Sequence, residues 1–571
     1  MTATDQFSKS PCDSKNHAIR LAWIDAAILM GFALFSLGSF LGRWKGITPF
    51  VFLGSDAGIV SSFVAGYEHP ELFRGDVLLG NFGNFRYYLA AHPLLIYTIS
   101  KITGDYGSAY ISLLLVTPLL QASGFYLLGR VLFNNRYWAL LLSIITLCPI
   151  ALPIREFWGI YDDPLPRSLF HACIPYVLAG AFYFRDDYAK WPWVMAATGL
   201  LFYAHPVSSP HWGFGIWIGM CAFLPRNWSL QKKLLYMFAL GLVYVAVALP
   251  WAANFLQVHD QAGVTGIQYS QVINTIAGRV GIELLSVGLA LQMWGRELLS
   301  WPLWFYCSWA LCAVAVVSFL HPDTREGFLL VAFWGLGILA VAVGITFAEE
   351  VTCHIWNLPR FQMDSIRGIK YLIPIFLLFS LWPLAEISNR LPTRSLRNAG
   401  LALVGTVLLA IWVYQNPPIY FRAAVQSWAQ FRLMPPVSGT ETAIIQAVDA
   451  VREKTPPGAR ILPIVLPLET RYAALRSVVY AYKDGGIFAD TNYRALLEWN
   501  KIKQELEQIL EREADPSRKL RRLLELSRRL SGQYLVTDFR IDSALASSMG
   551  AKVVWANESF TLLRCPPRTQ E

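Results

Sequence analysis

Apolar runs broken by short basic stretches fill the first 419 residues, most plainly at 21–41, 110–128, 234–251 and 401–413. A helix needs about 20 mostly apolar residues to cross the hydrocarbon core of a bilayer. Trp, Tyr, Gly and Pro near the ends of several runs suit interfacial anchoring and kinks tolerated inside a bundle. The pattern predicts about eleven spans, at 21–41, 108–129, 137–154, 168–184, 189–204, 207–224, 233–253, 302–320, 327–347, 368–386 and 398–415. Segment 86–102 is apolar too, but its His92-Pro93 break favours a juxtamembrane helix in the outer interface. Read as a full span, it would invert everything after it.

Basic residues set the orientation. Lys15 and Arg20 precede the first span, and alternate loops carry Arg130 and Arg136, Arg185 and Lys190, Arg226 with Lys232 and Lys233, Arg325, and Arg390 with Arg394 and Arg397. Short basic loops stay in the cytoplasm. The N-terminus, 1–20, is therefore expected inside, and the loops 42–107, 155–167, 254–301 and 348–367 outside. The first run has no small-residue cleavage site after it and is longer than a signal-peptide core, so it is expected to remain as an anchor.

After residue 420 the pattern changes. Pro417-Pro418 and Pro435-Pro436 read as a linker. Beyond them the alternation predicts a helix over 442–454, strands at 460–465 and 476–482, charged helical sequence over 495–530 interrupted at Asp515-Pro516, and strands at 533–537 and 551–555. The fold class is mostly α: a polytopic membrane helix bundle, 21–419, followed by an extracytoplasmic α/β domain, 420–571.

Composition agrees. Of 571 residues 55% are hydrophobic and only 15% charged, against about a quarter charged in ordinary soluble chains. The net charge of +9 is scattered over many loops, which points to topology and lipid headgroups and not to nucleic acid. The eight cysteines show no metal-ligand spacing, and six of them, Cys148, Cys173, Cys221, Cys307, Cys312 and Cys353, fall in or beside predicted helices as buried thiols. No phosphate-binding loop or dinucleotide fingerprint appears. The segment around Lys519, Arg521 and Arg522 with Arg528 and Arg529 forms a basic amphipathic face, suited either to anionic headgroups or simply to water.

Candidate chemistry lies on the outer side. Asp56 follows the first span, and a carboxylate at the membrane rim is costly unless solvated or used; capping the helix that follows is its structural alternative. The second outer loop carries Asp162, Asp163 and Arg167 among aromatics, a composition suited to sugar hydroxyls, a divalent cation or phosphate, with Asp163-Pro164 as a plain helix cap otherwise. His205 and His211 flank a Pro-broken junction, where they either touch phosphate, bind a metal or shuttle a proton, or make structural hydrogen bonds. Arg360 and Arg367 are candidates for a phosphate clamp, or interfacial charge. In the soluble domain Lys483 stands in the run Tyr480 to Gly486, either closing over a substrate or making a turn.

A first span, an outer-loop Asp56, the juxtamembrane segment His92 to Tyr97, and a second span ending Leu127 to Asn134 together resemble the GT-C superfamily of polytopic membrane glycosyltransferases. The soluble domain resembles the extracytoplasmic domain of many such enzymes through Ala447 to Ile461, Ser477 to Gly485, Tyr534 to Thr537 and Phe560 to Leu563. The resemblance implies sugar transfer from a polyprenyl-phosphate-linked donor to a glycan, lipid or protein acceptor. It implies a bacterial inner membrane with the C-terminal domain outside, in the cell envelope. It also implies that Asp56 acts as catalytic base or helps hold a divalent cation. The tandem acidic pair often found there is replaced by Ser55-Asp56-Ala57. The alternatives are a flippase for a lipid-linked glycan and a non-catalytic envelope scaffold.

Overall fold

A computed structural model describes residues 11–44, 53–147, 150–152, 156–159, 164–260, 269–280, 287–298, 322–356, 365–391, 393–415 and 438–566. The protein is mostly helical, with several apolar helices and a small C-terminal sheet. Five helical stretches among the described residues are long and apolar enough to cross a membrane: Trp23–Arg43, Tyr106–Phe133, Leu230–Val258, Glu326–Trp356 and Ser365–Asn389. Ser365–Asn389 is the hub, 83% buried over its most apolar window, whereas the windows of Leu230–Val258 and Trp23–Arg43 are only 17% and 11% buried. On Leu230–Val258, Leu234, Phe238, Leu242, Val245 and Leu249 stand exposed at intervals of three and four, so they share one face. Such a face is at home only against lipid. This is an integral membrane protein.

Several expected spans have different bounds. Within the span expected over 137–154 the described helix is Arg136–Leu147, and Ile150–Leu152 pairs antiparallel with Glu156–Trp158. Those expected at 168–184, 189–204, 207–224 and 398–415 are helices Pro166–Tyr183, Trp191–Leu200, Ser209–Cys221 and Arg394–Gln415. Segment 302–320 lies outside the described residues. In segment 86–102, a 3-10 turn Arg86–Tyr88 precedes the 13-residue helix Ala91–Thr103, which ends on Gly104 at φ 80. At 1.5 Å per residue it is about 20 Å long, short of the ~30 Å core. Pro93 does not break it: it sits in the first turn, where no intrahelical N–H bond is lost. Elsewhere Ser209–Cys221 and Pro322–Trp356 pack backbone to backbone: a Cβ on Gly215 would lie 2.7 Å from the Trp334 carbonyl oxygen. Small residues permit that approach between membrane helices.

The C-terminal domain contains a five-stranded sheet in the order Ser477–Val478, Arg460–Pro463, Tyr534–Thr537, Thr561–Arg564, Lys552–Ala556. The first three strands run parallel and the last two pairings are antiparallel. The expected helix is Gly439–Lys454, closed by a Ser438–Glu441 capping box. The charged helical region divides into Tyr493–Arg512 and Pro516–Arg529 at the Asp515 N-cap. Expected strand 476–482 shrinks to two residues, and the run beyond it starts a helix, Asp484–Thr491, in place of a turn.

The loop expected outside, 42–107, and this domain share one apolar core over the described residues. Phe63, Phe73 and Phe85 from the loop are buried in the same cluster as Leu462, Leu496 and Leu535 from the domain. A second cluster, around Trp212, Trp334 and Leu378, holds the bundle together.

Candidate functional site

Asp56 sits in the first turn of helix Ser55–Glu68, whose N-cap is Gly54 with no side-chain cap bond. The capping alternative therefore fails for Asp56. Its charge does complement the helix N-terminus, and its Oδ1 accepts from Lys483 Nζ at 2.6 Å. The Asp56 side chain is 51% exposed and that of Lys483 27%, so the pair is open to solvent on one side. An ion pair that exposed contributes little stability. Its consequence is placement: the carboxylate is oriented by a lysine 427 positions away.

Lys483 is held from behind. Its neighbour Asp484 and Asp76 of the first outer loop grip Arg471, and all three side chains are fully buried. Arg471 donates to Asp76 through Nε at 2.8 Å and Nη2 at 2.9 Å, and to Asp484 through Nη1 at 2.6 Å and Nη2 at 2.8 Å. Asp76 also accepts the N–H groups of Leu78, Leu79 and Val478 at 2.9, 2.8 and 2.7 Å. The loop extends the domain's edge strand, since Val77 N–H donates to the Val478 carbonyl at 3.0 Å. Burial pushes the Asp484 carboxyl up from its usual range, opposed by the adjacent Arg471 charge. Trp499 completes the support: its Nε1 donates to the Ala481 carbonyl at 2.9 Å. Its ring would stand 2.6 Å from any Cβ at Gly485, so only glycine fits there.

The second half of the site lies where helices Pro166–Tyr183, Ser209–Cys221 and the 3-10 helix Ser365–Tyr371 meet. His205, in the turn before Ser209–Cys221, accepts the Ser208 N–H on Nδ1 at 3.2 Å, with the Ser208 hydroxyl 2.6 Å from the same nitrogen. That hydroxyl also bonds Tyr371. Burial, then the positive charges of Lys370 and Arg167, hold the His205 imidazolium well below its usual pKa. With Nδ1 accepting, neutral His205 carries its proton on Nε2 as a donor. Lys370 and Arg167 also act on His171, whose ring stands 5.7 Å from that of Tyr371. Lys370 itself is 5% exposed. In a 3-10 helix residues i and i+3 eclipse, which puts Arg367 and Lys370 on one side of Ser365–Tyr371. His211 is structural: its Nδ1 faces the Val207 carbonyl at 2.8 Å and Nε2 the Ser365 carbonyl at 2.9 Å.

The halves meet through the segment leading into Arg167. His92 Nε2 lies 2.5 Å from the Pro164 carbonyl, and burial lowers the His92 pKa to about 4, so the neutral ring donates there. Leu165 packs in the same core as Leu53 and Ala57, which flank Asp56. Helix Pro166–Tyr183 has Leu165 as its N-cap, so Asp163 does not hold that position. Asp162, Asp163 and Arg360 lie outside the described residues. Of the residues singled out in the sequence Arg167, His205 and Arg367 lie in this region, together with His171, Lys370 and Tyr371, which the sequence reading did not name. The signal available for Lys370 was its three-residue spacing from Arg367.

No group of three or more His, Cys, Asp or Glu among the described residues has a metal-holding arrangement. Among the described residues the Asp56 carboxylate is paired with the Lys483 ammonium. Asp25 on the first span bonds Tyr126 and lies 2.8 Å from Arg130 Nη1 of the second, a structural staple between helices.

No family model matches the chain, and no curated protein matches it. Among solved structures it is similar to the crystal structure of ArnT from Cupriavidus metallidurans bound to undecaprenyl phosphate, at 12% identity and a TM-score of 0.40, over 96% of this chain and 99% of that one. A likeness that distant assigns no residue a role.

Proposed function

We propose that this protein is a membrane glycosyltransferase that moves a sugar from a polyprenyl-phosphate donor to an acceptor at the outer face of a bacterial inner membrane, with its C-terminal domain on that side. The observation that carries this reading is the juxtaposition just described. A lysine-oriented carboxylate shares an apolar core with the segment that leads into a cluster holding Arg167 and Lys370.

Displacing a phosphate from an anomeric carbon needs those two parts. The acceptor hydroxyl oxygen bonds to the anomeric carbon, its proton goes to Asp56, and the carbon–oxygen bond to phosphate breaks with its electron pair on the leaving oxygen. Arg167, Lys370 and the His205 Nε2–H are donors suited to that developing negative charge, and preorganised donors in a water-poor site act most strongly on it. Arg367 and Arg360 extend the same clamp. Asp162 and Asp163 are proposed to orient sugar hydroxyls, and Lys483 to hold the base against the acceptor. The donor's lipid tail would lie along the apolar outer surface of the bundle.

The test is purified protein in lipid nanodiscs with a labelled polyprenyl-phosphate sugar and a panel of acceptors. Transfer that vanishes in Asp56→Ala, while the variant still inserts, supports the reading. Full activity of that variant rejects Asp56 as base. Translocation without turnover would mark a flippase, and neither would mark a scaffold.

A further inference from the structure

A cavity of about 340 Å³ opens between the first outer loop and the C-terminal domain, and neither Asp56 nor Lys483 lines it. It is within the range of small-molecule sites. Three features of its wall define what fits. The first is cationic: Arg74, exposed at the end of the 3-10 turn Pro70–Phe73, has no ion pair among the described residues, and Arg460 reaches in from the start of its strand. Arg460 Nη2 is occupied by the Leu530 carbonyl at 2.9 Å, but its buried Nε has no hydrogen-bond partner. A buried donor left unmade is costly, and an acceptor in the cavity would satisfy it.

The second feature is aromatic. Tyr480 and Trp499 both line the cavity, stacked with ring centroids 6.3 Å apart and 16° between planes, and the indole is fixed by its bond to Ala481. The third is the exposed carboxylate of Glu498 at the rim, 3.7 Å from Arg494 of its own helix. Asp76 also borders the cavity, but its oxygens are taken by Arg471 and three backbone N–H groups.

Guanidinium groups recognise an acid group, an aromatic wall accepts the apolar face of a ring, and a free carboxylate accepts hydroxyl protons. A simple anion leaves the aromatic wall unused, a metal ion is repelled by the arginines, and an apolar ligand strands them. We propose that this cavity binds an acidic saccharide, a sugar unit carrying a carboxylate or a phosphate. The site is separate from Asp56 and does not depend on the transfer chemistry.

The experiment is saturation-transfer NMR on the full chain in nanodiscs, with glucuronic acid, glucose 6-phosphate and glucose as probes and inorganic phosphate as a competitor. The two acidic sugars should bind, and which is tighter distinguishes a carboxylate from a phosphate ligand. Glucose and inorganic phosphate should bind at least about tenfold more weakly, the loss of one charge-assisted hydrogen bond or more. Arg74→Ala combined with Arg460→Gln should weaken acidic-sugar binding by about tenfold or more, whereas Asp56→Ala should leave it intact. Arg74→Ala alone, at an exposed position, serves as the variant that keeps the fold. Three results overturn the proposal: neither acidic sugar binds, binding is indifferent to both arginines, or glucose or inorganic phosphate binds as tightly as the acidic sugars.

Discussion

Arg471 is the residue whose replacement says most about how the two halves of the chain are joined. Its guanidinium is fully buried between Asp76 of the first outer loop and Asp484 of the soluble domain, with four hydrogen bonds of 2.6 to 2.9 Å. Arg471→Met keeps the length of the side chain and removes the charge, leaving two carboxylates shut away without a counterion. Breaking a buried pair in that way costs about 3–5 kcal/mol, a large fraction of the roughly 5–15 kcal/mol that holds a domain folded. For a unit of this size that corresponds to an apparent unfolding midpoint lower by roughly 10–20 °C. Thermal unfolding followed by circular dichroism, with protease susceptibility of the soluble domain as a second readout, measures it.

Two double variants sharpen the test. Adding Asp484→Leu to Arg471→Met removes one of the stranded charges and should recover part of the loss. Adding Asp76→Leu should not, because Asp76 also accepts the N–H groups of Leu78, Leu79 and Val478, and each orphaned donor costs about 1–3 kcal/mol. A midpoint within about 3 °C of the parent for Arg471→Met, or a better recovery with Asp76→Leu than with Asp484→Leu, would refute the reasoning.

Glu469, two residues earlier on the same short helix, is buried, and burial raises its pKa from 4.5 to about 7. The folded chain therefore holds a proton that the unfolded chain releases. Stability is highest below about pH 4.5, falls as pH rises, and levels off above about pH 7. Glu469→Gln should then raise the stability at pH 8 by up to about 3 kcal/mol, read as a higher midpoint, and change little at pH 4; equal effects at both would contradict the assignment. Lys370→Met should weaken donor binding by about tenfold or more, visible as a raised KM for the polyprenyl-phosphate sugar, and an unchanged KM would remove Lys370 from the clamp. Gly368→Ala should displace His211, because a Cβ at that position collides with the imidazole that faces the Ser365 carbonyl. The expected loss is about 1–3 kcal/mol of stability, read as a lower midpoint, and a midpoint equal to the parent's would show that the helix end simply shifts.

The apolar pattern of the sequence located most of the bundle helices, because a membrane span is a local property of about 20 consecutive residues. Where the pattern erred, the cause was local as well: the run over 137–154 is apolar throughout, but Ile150–Leu152 within it pairs as a strand with Glu156–Trp158. The site was legible only one side at a time. Asp56 stood out as a carboxylate at a membrane rim and Lys483 as a charge among aromatics, yet nothing within a few residues of either announces the other. Arg471 left no signal at all. In sequence it is one polar residue in a short run, and its partner Asp76 is 395 positions away. Lys370 was hidden differently, since a lysine at the edge of an apolar run reads as part of the run.

These distant pairings bear on the function proposed for the C-terminal domain. A domain appended by a linker would need no charges buried at its junction with the membrane part, and burying them carries a desolvation cost that apolar contacts would avoid. Here the junction holds Arg471 between two carboxylates and sets Lys483, the residue before Asp484, against Asp56. The first outer loop meanwhile contributes Phe63, Phe73 and Phe85 to the domain's own core. Geometry of that kind fixes one register between loop and domain, and with it the position of a carboxylate to within hydrogen-bonding tolerance. A conduit through the bilayer gains nothing from such a constraint at its rim, and the ionisable Asp25 inside the bundle is already committed to Tyr126 and Arg130. A base that must meet an acceptor hydroxyl gains a great deal, because an error of about 1 Å in placement costs a catalyst roughly a hundredfold in rate.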